Sequence, residues 1–230
     1  TVIDSLLTVV HKIRTQGELR NSLESRFYGL DSKKKLILVT GHRRENFGQG
    51  FEEVCNGILQ IANREDVEIL YPVHLNPQVQ EPVRRILGHK PNIHLTGPQD
   101  YLPFIYLMDR SYLIITDSGG VQEEAPALGK PVLVTRNTTE RPEAVTAGTV
   151  KLVGTKSTVL FHETSKILDD SAVRDRMARA HNPYGDGYAS LRIRNILSET
   201  YRRTATQNDF PALHTVPRFD NLMTPRAAVN

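Results

Sequence analysis

One cysteine, Cys55, stands in 230 residues. No internal disulfide can form, and no zinc site with several cysteine ligands can be assembled. Cys55 falls on the apolar face of a predicted helix, where a buried, inert thiol is the expectation. The histidines at 42, 74, 89 and 94 lack the i, i+4 pairing of a helical metal site. No stretch approaches the roughly 20 consecutive apolar residues that a membrane helix requires. The opening "TVIDSLLTVVHKIR" lacks the basic leader, apolar block and cleavage site of a secretory signal, so a cytoplasmic protein without membrane association is expected. Missing too is a basic stripe with interleaved aromatics. The 29 Lys and Arg are dispersed among 26 Asp and Glu, and the formal charge of +3 permits a small anionic ligand while offering weak support for nucleic acid. No G-x-x-x-x-G-K-[ST] and no strand-bound G-x-G-x-x-G occurs, so ATP hydrolysis and nicotinamide binding lack their usual signatures.

What is present is an alternation of two periods. Hydrophobic residues make up 39% of the chain and charged ones 24%, an ordinary globular composition. "KLILVT" (35–40) is a short continuous apolar run, as expected of a strand covered on both faces. "FEEVCNGILQIANRE" then carries apolar residues at helical spacing. The pattern continues with strand "VEILYP", helix "NPQVQEPVRRIL", strand "NIHL", helix "YLPFIYLM", strand "YLIITD", helix "VQEEAPAL", and strands "KPVLVT" and "TVKLVG". This βαβα order predicts an α/β fold with a Rossmann-like parallel sheet and helices on both faces. Right-handed crossovers then bring the strand-to-helix loops to one sheet edge, where such folds bind ligands. An amphipathic helix is expected at the start, apolar at Val2, Ile3, Leu6, Leu7, Val10 and Ile13. After Gly154 the text is helical, with "HNPYGDG" as a glycine-rich connector, and from about Thr204 neither period persists.

Three loops at that edge carry the chemistry. In "TDSGGVQEEAPALGKP" a strand ends at Asp117 and Ser118, Gly119 and Gly120 follow, and a helix is expected to begin near Val121. The glycines let the backbone approach a ligand, and the free N–H groups of a helix start attract a diphosphate. Glu124, one turn on, can accept both hydroxyls of a ribose. The residues alone leave a plainer alternative, in which Ser118 caps the helix and Glu123 and Glu124 complement its dipole. In "TRNTTERPEAVTAG", read as a loop, Arg141 offers a bidentate fork for phosphate among Glu140 and Glu143, or else these residues pair locally at the surface. "GHRREN" supplies His42, Arg43, Arg44 and Glu45. Converging in one crevice, the three predict a ligand carrying a diphosphate and a hydroxylated sugar.

These segments, "LILVTGHRREN", "YPVHLNP", "IITDSGGVQEEAPALGKPVLV", "TTERPEAVTAGT" and "AHNPYGDG", resemble the C-terminal half of bacterial non-hydrolysing UDP-N-acetylglucosamine 2-epimerases, from Thr1 to about Arg203. The resemblance implies the C-terminal domain of a GT-B-type two-domain fold. It implies residues 1–30 as hinge and linking helix and 31–203 as a UDP-binding domain with C-terminal helices; the aperiodic 204–230, which matches nothing in the family, is expected to be a disordered tail. By motif, His42 would contact the diphosphate as the catalytic group of this half, and Ser118, Gly119 and Gly120 would cradle it. Glu124 would hold the ribose, Arg141 the phosphate or sugar, and Gln99 and Phe104 the uracil. Arg43 and His74 match positions that approach a second, regulatory UDP-N-acetylglucosamine in some members. The implied reaction interconverts UDP-N-acetylglucosamine and UDP-N-acetylmannosamine for bacterial surface polysaccharide synthesis by elimination and re-addition of UDP, with no cofactor. Implied partners are UDP-N-acetylglucosamine, UDP and an N-terminal epimerase half, with homodimer formation left open. The chain alone is expected to bind UDP-sugar without turning it over. The alternatives are a GT-B glycosyltransferase C-terminal domain and a non-catalytic UDP-sugar-binding fragment.

Overall fold

The computed structural model describes residues 1–207, and most of the tail expected at 204–230 lies outside them. Two helices open the chain, α1 (Val2–Thr15) and α2 (Gly17–Arg26). Six strands follow: β1 (Lys35–Thr40), β2 (Val67–Pro72), β3 (Ile93–Thr96), β4 (Leu113–Thr116), β5 (Val132–Val134) and β6 (Val150–Leu152). Between them come α3 (Gln49–Ile61), α4 (Pro77–Leu87), α5 (Tyr101–Arg110), α6 (Gly119–Ala127) and α7 (Pro142–Ala147). The helices α8 (Ser157–Asp169), α9 (Ser171–Arg179) and α10 (Ala189–Gln207) complete the described chain. None of the described helices is long and apolar enough to cross a membrane.

All neighbouring strands pair in parallel, in the order β3-β2-β1-β4-β5-β6. The continuous apolar runs are explained by burial on both faces. In β1, Ile37 and Val39 join one core cluster with residues of α3, α4 and α8, while Leu36 and Leu38 join the other with residues of α1, α5 and α6. Alternate side chains of one strand thus feed opposite layers. The sheet order reverses between β1 and β4, so the loops leaving these adjacent strands open a crevice at the topological switch point.

Local chemistry sets the helix ends. Asn76 accepts from the Gln78 N–H at 2.9 Å, with Pro77 in the first turn of α4. Asp170 does the same for α9, accepting from Ala172 and Val173. Cys55 is fully buried, and burial pushes its thiol up to about 12, the inert thiol expected.

The chain groups into two compact units, Thr1–Ser190 and Leu191 onward. In the second, the apolar side chains Leu191, Ile193, Ile196, Leu197 and Tyr201 are exposed. In the first, the glycine-rich segment is more than the plain connector expected, because it is strapped to α1. Gly185 lies against Ile3, and Asp4 accepts from the Ala189 and Ser190 N–H groups at 3.2 and 2.6 Å. At Gly187 φ is +85°, and a Cβ there would stand 2.7 Å from Leu7 Cδ1. The left-handed backbone costs an L-residue about 1–2 kcal/mol. Gly187→Ala is therefore expected to lower unfolding stability by that amount or slightly more, as a chemical-denaturation midpoint would report.

Candidate nucleotide-binding crevice

Asp117, at the carboxyl end of β4, is buried and brackets the neighbouring loop. Its Oδ2 accepts from the backbone N–H groups of His42 and Arg43 at 2.8 and 2.7 Å. Its Oδ1 lies 3.6 Å from His42 Nδ1 and has no hydrogen-bond partner among the described residues. The two strand ends are also pinned directly. Thr40 and Thr116 hydroxyls lie 2.6 Å apart, and the Ser118 N–H donates to Thr116 Oγ1 at 2.9 Å.

Helix α6 begins at Gly119, two residues before the expected start, because both glycines adopt helical backbone. Ser118 occupies the cap position with no side-chain capping bond. Its hydroxyl therefore does not play the capping role that the plainer sequence alternative gave it. Two guanidinium groups face this helix start. A Cβ built on Gly119 would stand 3.7 Å from Arg43 Nη2 and 3.9 Å from Arg141 Nη2. Amide N–H groups, the positive end of the helix dipole and two arginines meet at one point, an arrangement whose electrostatics favour an anion.

The segment around Arg141 is not the loop expected throughout. Arg141 caps the short helix α7, with Pro142 in its first turn, and the helix closes on Gly148 in a left-handed conformation. Arg141 Nε donates to Glu123 of α6 and Nη1 to the Glu140 carbonyl, which leaves Nη2 as the end facing the start of α6 at Gly119. Thr139 Oγ1 accepts from the Arg141 N–H at 3.0 Å and donates to Gln122 Oε1 at 2.6 Å, tying α7's start to α6.

The sequence reading missed Arg136. It is 5% exposed and joins its own loop, between β5 and α7, to the loop after β1, with Nε donating to Glu45 at 2.5 Å and Nη1 and Nη2 to Glu140 at 2.6 and 2.9 Å. Arg43 Nη1 also lies 3.9 Å from Glu140. Asn46 adds a bond to the Thr135 carbonyl at 3.0 Å.

His42 and His74, assigned by resemblance to different ligands, stack with ring centroids 5.3 Å apart. His74 Nδ1 accepts from the Asn76 N–H, which orients it. Gln99 spends its amide locally, accepting from Arg26 Nη2 at 2.8 Å and donating to the Gly97 carbonyl at 2.7 Å. Phe104 sits half-buried in the first turn of α5, packed on the core. Glu124 accepts from the Tyr101 hydroxyl at 3.0 Å. Burial raises its carboxyl above the usual range, the Tyr101 bond opposes this, and Glu123 adds to it. Among the described residues no group of three or more His, Cys, Asp or Glu is placed to hold a metal ion.

The family model for UDP-N-acetylglucosamine 2-epimerase matches residues 1–198. The chain belongs to the UDP-N-acetylglucosamine 2-epimerase family. It is 57% identical over 198 residues to the UDP-N-acetylglucosamine 2-epimerase of Escherichia coli K12, covering 86% of this chain and 53% of that protein. The Salmonella typhimurium enzyme of the same name is 56% identical over 203 residues, covering 88% and 54%. Among solved structures, the UDP-GlcNAc 2-epimerase from Neisseria meningitidis bound to UDP-GlcNAc matches with a TM-score of 0.81 at 43% identity, covering 86% of this chain and 53% of that one. The glycosyltransferase WaaG, 19% identical with a TM-score of 0.54, shares the fold alone. The chain spans about half the length of the epimerase relatives it matches.

Arg136 holds the Glu140 carboxyl down to about 2. A depressed carboxyl contributes stability that is present above its ordinary value near 4.5 and is lost as pH falls through the folded value near 2. Following the Glu140 carboxyl by carbon NMR should show it ionised down to about pH 2 in the parent. In Arg136→Met it should protonate in the ordinary glutamate range. The same substitution takes a hydrogen-bonded cation away from two half-exposed carboxylates and is expected to lower unfolding stability at neutral pH.

Proposed function

We propose that this chain supplies the UDP-binding half of a UDP-N-acetylglucosamine 2-epimerase, acting with an N-terminal half that lies outside it. The observation that carries the proposal is the meeting of Arg43, Arg141 and the first N–H groups of α6 at Gly119, beside the bracketed His42. Family membership, and relatives described as bound to UDP-GlcNAc or to UDP, support the nucleotide-sugar as the ligand.

In the proposed reaction a base removes the proton at C2 of the sugar and the C1–O bond breaks with its electron pair going to UDP. The remaining 2-acetamidoglucal has a C1–C2 double bond. Protonation of C2 from the opposite face and return of UDP to C1 yield UDP-N-acetylmannosamine. The demand on this half is electrostatic, because the departing β-phosphate gains negative charge. Preorganised N–H groups, Arg43, Arg141 and His42 meet it without reorganising, and a single donor of this kind is worth about 3–4 kcal/mol. Ser118 adds a hydroxyl, Glu124 receives the ribose, and Gln99 with Phe104 borders the base. Because the Gln99 side chain is committed to Arg26 and Gly97, backbone groups of its loop would read the uracil edge. His74 extends the basic surface beyond His42 toward a regulatory nucleotide-sugar. The reading carries a cytoplasmic location and permits a homodimer.

Calorimetric titration of the chain with UDP tests this. Each charge-assisted contact is worth about 1.5–3 kcal/mol, so His42→Ala and Arg141→Ala should each weaken UDP binding by roughly 10- to 150-fold. Failure of the folded chain to bind UDP, or equal binding by parent and both variants, contradicts the proposal.

A further inference from the structure

Tyr101 and Glu124 form a bond that the diphosphate site does not explain. Tyr101 opens α5, directly after the Gln99 loop, and Glu124 lies one turn into α6, whose start faces the arginines. Their 3.0 Å hydrogen bond therefore runs between the element proposed to border the base and the element proposed to hold the diphosphate. In a nucleoside diphosphate the ribose is the part between those two.

We propose that Tyr101 is a positioning residue for ribose selection: its hydroxyl fixes the Glu124 carboxylate so that Glu124 accepts from the 2′ and 3′ hydroxyls, which sets a preference for ribonucleotides over deoxyribonucleotides. This rests on the reading that Glu124 receives the ribose.

Three observations support it. First, the phenol donates to Oε1, while Oε2 has no hydrogen-bond partner among the described residues; with a further lone pair on Oε1, both oxygens can still accept. A free carboxylate would lose rotamer freedom on gripping a diol, and the Tyr101 bond removes that freedom beforehand. Second, burial favours the neutral carboxyl of Glu124, and the Tyr101 bond is the contact that counters it. A protonated Glu124 would donate through one oxygen and no longer receive two hydroxyls. Third, burial and the adjacent carboxylate hold the phenol up near 12, so it remains a donor throughout the neutral range. Tyr101 is itself 43% exposed, so removing one oxygen leaves the core intact.

The test compares UDP with 2′-deoxy-UDP by calorimetry on the full chain, for the parent, Tyr101→Phe and Glu124→Gln. The parent should prefer UDP by about 10- to 100-fold, the scale of a hydrogen bond to a charged acceptor. Tyr101→Phe should cut that preference by about 3- to 10-fold through weaker UDP binding, with 2′-deoxy-UDP changed little. Glu124→Gln should bring the preference close to unity. If Glu124→Gln abolishes the preference while Tyr101→Phe preserves it, or weakens both nucleotides equally, Tyr101 is only a clip between helices and this inference fails alone. If the parent shows no preference, or Glu124→Gln keeps it, the assignment of Glu124 to the ribose fails and the role of Tyr101 fails with it.

Discussion

The crevice depends on one buried carboxylate. Asp117 ends β4 and uses one oxygen to hold two consecutive N–H groups of the loop that leaves β1. Those amides would otherwise be unpaired at the mouth of the sheet, and the loop could fold away from the helix start beside it. With both amides fixed, the His42 ring is brought to 3.6 Å from the other carboxylate oxygen and Arg43 is turned over Gly119. A carboxylate so buried is tolerable only when hydrogen-bonded, and loop and carboxylate stabilise one another.

Around that bracket the protein solves a second problem, which is to gather several cations in one crevice. Arg43, Arg136 and Arg141 lie within a few residues of one another in space, and like charges repel. Glu45, Glu123 and Glu140 offset this, Glu123 pairing with Arg141 from α6 itself, Glu45 with Arg136, and Glu140 with Arg136 and Arg43. Arg141 is held by Nε and Nη1, so Nη2 is presented to the helix start with little freedom left to lose on binding. Preorganisation of this kind lowers the entropic cost of binding an anion and of stabilising one that forms during reaction.

Much of this was legible in the sequence, for physical reasons that can be named. The runs in β1, β2 and β4 are continuous because both sheet faces are covered, and the stripe of α3 follows the helical period. Loops gathered at one edge follow from the βαβ order, so the convergence of His42, Gly119 and Arg141 could be anticipated. Helix α2 has scarcely any apolar period to read, with Leu23 its buried side chain. Helix α7 was hidden because "ERPEAVTAG" mixes a proline, threonine and a glycine, whereas the proline is at a helix start and the glycine at a helix end. The bonds from Asp117, Arg136 and Tyr101 bridge 75, 91 and 23 residues of sequence. They exist only once strand order and helix register are set, and no local pattern encodes them.

The central claim is that a nucleoside diphosphate seats on the start of α6 between Arg43 and Arg141. A crystal structure of the chain grown with UDP tests it most directly. The account predicts phosphate oxygens within hydrogen-bonding distance of the Gly119 or Gly120 N–H and of Arg141 Nη2, with Glu123 still on Nε. UDP bound with its diphosphate elsewhere, leaving the start of α6 to solvent, would contradict it.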